Sequence, residues 1–297
     1  MSNQEFQVLP GPSSVLFARS IAKQLNCEMV DMEFKEFTDG ENYFRLISEV
    51  VGKRVLVIQS LYPPVDHHLM QLIFISKKLS EEGAFVYAIC PYLGYSRQHK
   101  EYLTGEVMSL KTLGQLLAFS GVKHMITLDI HNVEGLGLIK FPAFSPSAIP
   151  TLAEYVKNCE DVSNSIIVSP DLGSSARAEA FAELVGRPYL IFEKERDRFT
   201  GELKMKFTSS NLSGSKAYIV DDMISTGGTI VKAAKVLSSL GVKEMTAVCV
   251  HAIMVADAAN RIKAAGVSSI IASNTIPTEF SKVDVSKVIA DHIKLLG

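Results

Sequence analysis

Apolar and polar positions follow two rhythms along this chain. Short apolar runs rich in β-branched residues recur at Val55–Gln59, Phe85–Cys90, Met125–Leu128, Ile166–Ser169, Tyr189–Phe192, Tyr218–Val220, Met245–Val250 and Ser269–Ala272. Between many of them, apolar positions return every third or fourth residue, over His67–Ser80, Leu110–Phe119, Ser175–Val185 and Ile230–Leu240. Short continuous apolar runs predict buried strands, and the longer period predicts amphipathic helices. Alternation of the two predicts an α/β fold of mainly parallel sheets flanked by helices, joined by right-handed crossovers.

The pattern also repeats weakly. Arg54–Ser60, a loop, a helix ending near Leu79 and a strand at Phe85–Cys90 form one strand–loop–helix–strand unit. Ala217–Asp222, its loop, its helix and Met245–Val250 form a second at similar spacing. Two α/β domains of similar plan account for this, although βαβ units resemble one another in any case. The stretch Ser145–Pro150, close to Pro142 and containing Pro146, suits a boundary between them. The two units differ in chemistry: the second carries Asp221 and Asp222 where the first has Gln59 and Ser60.

Those two acids open the most informative loop. Val220-Asp221-Asp222-Met223-Ile224-Ser225-Thr226-Gly227-Gly228-Thr229 runs from a predicted strand into a predicted helix. Glycines and small hydroxyls let backbone N–H groups close around a phosphate at a helix N-terminus, where the partial positive charge favours an anion. Adjacent carboxylates would repel that phosphate, but they suit the donor hydroxyls of a sugar or a hydrated Mg2+. The loop reads as a seat for a sugar phosphate.

Other polar segments are less decisive alone. Asp39, Gly40 and Glu41 form a turn that is equally a solvated surface feature. Arg97, Gln98 and Lys100 follow the strand ending at Cys90, where Arg could hold phosphate in bidentate fashion or simply face water. A polar run from Glu101 to Glu106 follows and reads as a flap. Asp129 and His131 stand at a strand end, where His131 could ligate a metal or cap the strand. Asp171 could cap a helix or bind a metal. In Glu193–Arg198 charges alternate, and an extended segment would set Lys194 and Arg196 on one side and the acids on the other. Together these segments say more. All lie in predicted loops, four directly after predicted strands, and in an open α/β sheet such loops share the ligand-binding carboxyl edge.

Composition narrows the partners. A chain of 297 residues with 47% hydrophobic and 21% charged residues has ample core material for one large or two ordinary domains. A net charge of −2 gives no electrostatic case for nucleic acid or an anionic membrane. Cys27, Cys90, Cys159 and Cys249 lack metal-site spacing and suit a reducing compartment. With no apolar run long enough to span a membrane and a polar first segment, the chain is expected to be cytoplasmic.

Taken in order, Phe37–Glu41, Ile58–Ser60, Pro91–Gln98, Asp129–His131, Val168–Gly173, Lys194–Arg196, Val220–Thr229 and Ser273–Pro277 resemble the ribose-phosphate pyrophosphokinases, the PRPP synthetases, across almost the whole chain. The acidic-pair loop alone would fit any type I phosphoribosyltransferase; the Arg-Gln, Asp-x-His and Lys-x-Arg segments are more specific to the synthetases. The short flap is most similar to archaeal members. The resemblance implies two domains of type I phosphoribosyltransferase-like fold, at 1–146 and 147–297, with the last helix packing back on the N-terminal domain. It implies transfer of the pyrophosphoryl group of ATP to the C1 hydroxyl of ribose 5-phosphate, giving PRPP and AMP, by a homo-oligomer. Asp39, Gly40, Glu41, Arg97 and Gln98 would then meet ATP, and His131 and Asp171 would hold Mg2+. Lys194 would be catalytic with Arg196 assisting at the phosphates, Asp221 and Asp222 would take the ribose hydroxyls, and Ser225, Thr226, Gly227, Gly228 and Thr229 the 5-phosphate. Three places depart from the usual family pattern: Ser225 and His99 stand where Asp is common, and Asp129–His131 continues as Asn132-Val133-Glu134. Competing readings are a phosphoribosyltransferase, which would need neither Lys194 nor an ATP loop, and a non-catalytic regulatory subunit, in which catalytic positions would be lost.

Overall fold

The computed structural model of the chain describes residues 6–196, 203–206, 212 and 214–296, with 193–196 and 203–206 described as strand backbone. The chain divides into two compact units, one of Met1–Ser147, Thr275–Pro277 and Val285–Gly297, the other of Ala148–Asn274 and Thr278–Asp284.

The first unit begins with β1 (Phe6–Pro10) and α1 (Val15–Leu25). A hairpin of β2 (Met32–Glu36) and β3 (Asn42–Leu46) follows. Then come β4 (Arg54–Ile58), α2 (Val65–Glu81), β5 (Phe85–Cys90), α3 (Ser109–Phe119), β6 (Val122–Thr127) and β7 (Ala143–Phe144). Five strands pair in parallel in the order β1-β4-β5-β6-β7. The second unit runs α4 (Ile149–Cys159), β8 (Ser165–Ser169), α5 (Ser175–Val185) and β9 (Tyr189–Ile191). An antiparallel pair, β10 (Glu193–Arg196) and β11 (Leu203–Lys206), leads to β12 (Lys216–Ile224), α6 (Gly228–Ser239) and β13 (Glu244–Ala252). α7 (Ala258–Ala264), β14 (Ser269–Ser273) and β15 (Ser281–Val283) complete it. Its six-stranded sheet has the order β15-β14-β13-β12-β8-β9, parallel throughout. The chain ends in α8 (Ser286–Lys294), which belongs to the first unit and packs against α1.

The central strands owe their form to burial on both faces, which helices over a parallel sheet impose. β8 is buried at every position and β4 at all but its first. In the first unit Leu9, Val55, Val57, Leu72, Ile75 and Leu79 share one core; in the second Val168, Ile219, Ala233, Leu237 and Ala247 share another. Helix ends follow local chemistry. α1 stops where Asn26 turns left-handed (φ 51°) and returns its N–H to Ala22 and Lys23, and α5 stops in the same way at Gly186 (φ 73°).

β12 is longer than the run Tyr218–Val220 predicts. Pairing with β13 continues to Ile224, so Asp221 and Asp222 lie within the strand and not in the loop after it. The apolar run ends where function begins, but the backbone ladder does not. Among the described residues, no helix is long and apolar enough to cross a membrane.

Candidate functional site

In the first unit, three of the predicted segments lie at hairpin or strand ends. The β2–β3 turn is closed by Phe37 N–H to Glu41 O (2.8 Å) and Gly40 N–H to Phe37 O (2.9 Å), while Asp39 Oδ1 accepts the Glu41 N–H (3.2 Å). Gly40 sits at φ 89°, a conformation glycine adopts without strain. The side chains of Asp39 and Glu41 face outward. The hairpin base is tied to α2: Gln71 Nε2 donates to Asn42 Oδ1 at 2.9 Å, and His67 Nε2 lies 3.4 Å from Glu36 Oε2.

After β5, Tyr95 adopts a left-handed conformation (φ 64°) and its hydroxyl donates to Asp66. That turn, closed by Gln98 N–H to Tyr95 O at 3.0 Å, exposes Arg97 and Gln98 while Ser96 and His99 are buried. After β6, Asp129 (φ 36°) turns inward and its Oδ1 accepts from Ser147 Oγ at 2.7 Å. Asp129 thus serves the fold, and His131, two residues on, is exposed.

In the second unit, Asp171 does what a capping residue does: its Oδ1 accepts the Ser174 N–H at 3.3 Å over the 3-10 turn Leu172–Ser174. Ser174 then donates its hydroxyl to Asp221 Oδ1, an oxygen that also accepts the Asp222 N–H at 2.9 Å. Asp222 Oδ1 accepts the Met223 N–H at 2.7 Å. Asp171, Ser174, Asp221 and Asp222 therefore form one polar cluster. Burial, and then the neighbouring Asp222 charge, hold the Asp221 carboxyl well above the usual carboxylate range, with the Ser174 hydrogen bond pulling the other way. Cys249, paired with Asp221 across the sheet, is pushed up by burial first and by the two acids second.

The loop after these acids leads directly into α6. Gly227 takes φ 74°, and a Cβ there would lie 2.8 Å from Ile262 Cδ1, so both the turn and the approach of α7 require glycine. No side chain caps α6, whose first N–H groups stand at the Ser225–Thr229 loop. The loop is fixed from behind: Val255 N–H reaches Ser225 O at 3.1 Å and Arg261 Nη1 donates to Thr226 O at 3.2 Å. Backbone N–H groups at a helix N-terminus thus stand close in sequence to two buried carboxyl groups. Lys194 and Arg196 occupy alternate register positions of β10, opposite Met205 and Leu203; their side chains lie outside the described residues.

Residues 6–121 match the family model described as the N-terminal domain of ribose phosphate pyrophosphokinase, and residues 204–296 match the phosphoribosyl synthetase-associated domain. A ribose-phosphate pyrophosphokinase from Sulfolobus acidocaldarius is 36% identical over 291 residues, 96% of this chain and 99% of that protein. One from Methanothermobacter thermautotrophicus is 35% identical over 95% of this chain and 98% of that protein. The chain belongs to the ribose-phosphate pyrophosphokinase family. These relatives are archaeal, in keeping with the short flap. The crystal structure of phosphoribosylpyrophosphate synthetase from Mycobacterium smegmatis superposes with a TM-score of 0.87 at 25% identity, covering 98% of each chain. The fold is accordingly the α/β, phosphoribosyltransferase-like plan of that family, and the family's reaction is transfer of a pyrophosphoryl group from ATP to ribose 5-phosphate.

Sequence reasoning missed two contributors here. Ser174 carries one signal in the sequence, a hydroxyl three residues after a capping Asp. Arg261 carries no sequence signal, because its task, a bond to the Thr226 carbonyl, depends on how α7 meets the loop.

Proposed function

We propose that the Asp221–Thr229 segment seats ribose 5-phosphate, with Asp221 and Asp222 taking the ribose hydroxyls and Ser225, Thr226, Gly227, Gly228 and Thr229 the 5-phosphate. The observation that carries this is the buried acidic pair on β12 running into an uncapped helix N-terminus. The N-terminal domain, 1–146, supplies ATP contacts through Asp39, Gly40, Glu41, Arg97 and Gln98. The C-terminal domain, 147–297, supplies the acceptor, whose C1 hydroxyl attacks the β-phosphorus of ATP. AMP leaves, and PRPP is formed.

Phosphoryl-type transfer asks for positioning and charge neutralisation more than for covalent chemistry. Lys194 serves the transferring phosphates, and Arg196 assists it. His131 and Asp171 would hold Mg2+, which would supply charge neutralisation to the polyphosphate when bound. Asp171 would offer the oxygen donor that Mg2+ prefers, and His131, a nitrogen donor less suited to Mg2+, would act through a bound water. Among the described residues, no group of three or more His, Cys, Asp or Glu is arranged to hold a metal ion. The reading includes a cytoplasmic homo-oligomer with no nucleic-acid or membrane partner.

Incubation with ATP, ribose 5-phosphate and Mg2+ should release AMP and PRPP in equal amounts. Lys194→Ala should lower kcat by about a hundredfold or more with an unchanged circular dichroism spectrum. Undiminished turnover by that variant removes Lys194 from the mechanism.

A further inference from the structure

His99 is buried in a loop whose neighbours Arg97, Gln98 and Lys100 are exposed. Its ring stands edge-on to Tyr102 at 6.3 Å, and it packs over Gly135, where an added Cβ would come within 3.2 Å of the His99 Cβ. Its Nε2 lies 3.0 Å from Asn132 Nδ2. The Asn132 amide is oriented from its other end, because Oδ1 accepts the Glu134 N–H at 2.8 Å and caps the 3-10 turn Val133–Leu138. An amide NH2 can only donate, so Nε2 supplies the lone pair and the ring proton resides on Nδ1. Nδ1 is buried and has no hydrogen-bond partner among the described residues.

This combination is informative. An apolar side chain would fill the same space without burying an unpaired N–H, so a filler role does not account for an imidazole there. What the imidazole adds is one directed bond, and that bond ends on the residue next to His131. The loop bearing Arg97 and Gln98 is thereby joined to the loop bearing His131, within the first unit.

We propose that His99 is a positioning residue that holds the nucleotide loop (Arg97, Gln98) in register with the His131 loop through Asn132. The inference rests on the roles given above to Arg97, Gln98 and His131. Side chains that orient ligand-bearing residues without touching the ligand are worth factors of ten or more in metal affinity or activity. A fixed register also keeps the reacting groups near their attack geometry.

The test is steady-state kinetics with ATP, Mg2+ and ribose 5-phosphate varied in turn, beside thermal melting and calorimetric binding of a non-hydrolysable ATP analogue. His99→Leu should raise the ATP KM and the Mg2+ half-saturation by about tenfold and leave the ribose 5-phosphate KM within about twofold. His99→Gln keeps an acceptor at the reach of Nε2 and should restore most of the loss. Asn132→Ser keeps the cap, a role serine fills well, but cannot reach His99, and should reproduce His99→Leu. The double variant should then be no worse than either single one, as expected for partners in one link. Additive effects, a loss that Gln fails to restore, or a fall in melting temperature with ATP and Mg2+ parameters unchanged overturns the proposal. Arg97→Ala separates the two levels. If it weakens analogue binding while the His99 series is flat, the positioning role alone fails; if it does not, the nucleotide assignment fails and takes the positioning role with it.

Discussion

The ends of β4 and β12 are the same place in two similar units, built from opposite materials. At β4 the chain continues as Gln59-Ser60, and the side-chain polar atoms there are answered by the protein. Gln59 Oε1 accepts the Ser13 N–H at 3.2 Å, and its Nε2 donates to Gln71 Oε1 at 2.8 Å and to the His68 carbonyl at 3.2 Å. Ser60 N–H reaches Ser14 Oγ at 2.8 Å, while its own hydroxyl donates to Thr275 O at 2.7 Å and accepts the Tyr92 N–H at 3.0 Å. A Cβ on Gly11 would fall 2.2 Å from Gln59 Oε1, so the first strand closes over this network. At β12 the equivalent positions are two buried carboxylates, one of them held well above its ordinary pKa by burial. A neutral, satisfied edge has nothing left to bind. Two adjacent carboxyl groups in a buried place are poorer for the fold and are relieved by hydroxyl donors or a cation. One edge is answered within the fold; the other carries the acids proposed above to meet the ribose.

The sharpest way to break this contrast is to neutralise the acids. Asp221→Asn with Asp222→Asn should lower kcat/KM for ribose 5-phosphate by about a hundredfold or more, roughly 2.7 kcal/mol of transition-state stabilisation. The same change should raise thermal stability by about 1 kcal/mol, as is common where a strained functional group is removed. Steady-state kinetics and calorimetry on one preparation give both numbers. A variant that lost activity and stability together would show the acids to be structural, and the contrast would fall.

The complementary change tests the other edge. Gln59→Leu strands the Ser13 N–H and the Gln71 amide in a buried place, and should cost about 2 kcal/mol in urea unfolding. Turnover per folded molecule should stay close to that of the parent. Loss of ribose 5-phosphate affinity in a stable Gln59→Leu protein would mean that the first edge binds ligand as well.

Much of this was legible in the chain. β4, β5, β8 and β13 are buried on both faces, so each wrote itself as an apolar run, and the Asp221–Thr229 loop stood out because strand, acids, glycines and helix occur in sequence. The β2–β3 hairpin was legible only as a turn at Phe37–Glu41, since its strands are largely exposed and carry no apolar run. The short β7 and β15 left no mark for a similar reason. Within the site, the sequence sets Asp129 and His131 side by side at a strand end, yet the left-handed turn at Asp129 sends one inward to Ser147 and leaves the other exposed. The bonds of Ser174, Gln59 and His99 could not be read from the sequence, because each reaches a partner distant in the chain: Asp221, Ser13 and Asn132 respectively. Local pattern reports burial and chemistry; it does not report which distant group completes a hydrogen bond.

The subtlest expected difference between the two edges lies in their response to acid. Burial lowers the pKa of His68, beside Gln59, below its ordinary 6.5, although its 2.7 Å hydrogen bond to the Tyr62 carbonyl works in the other direction. A histidine that binds its proton less readily when folded contributes stability that is intact above 6.5 and is lost as pH falls below it. Asp221 has the opposite sign. Its raised carboxyl contributes stability that is full below the ordinary 3.8 and is lost as pH rises through the elevated value. Acidifying from about pH 7 to about pH 5 should therefore loosen the β4 edge and tighten the β12 edge, each by less than about tenfold per pH unit. Amide hydrogen exchange, corrected for its intrinsic pH dependence, reads both at once. The Ser60 and Tyr92 amides report the first edge, because they donate to the Ser14 and Ser60 hydroxyls. The Asp222 and Met223 amides report the second, because they donate to the acids themselves. Protection that moves in the same direction at both edges would show that a global opening governs exchange, and that the two strand ends are not separately tuned.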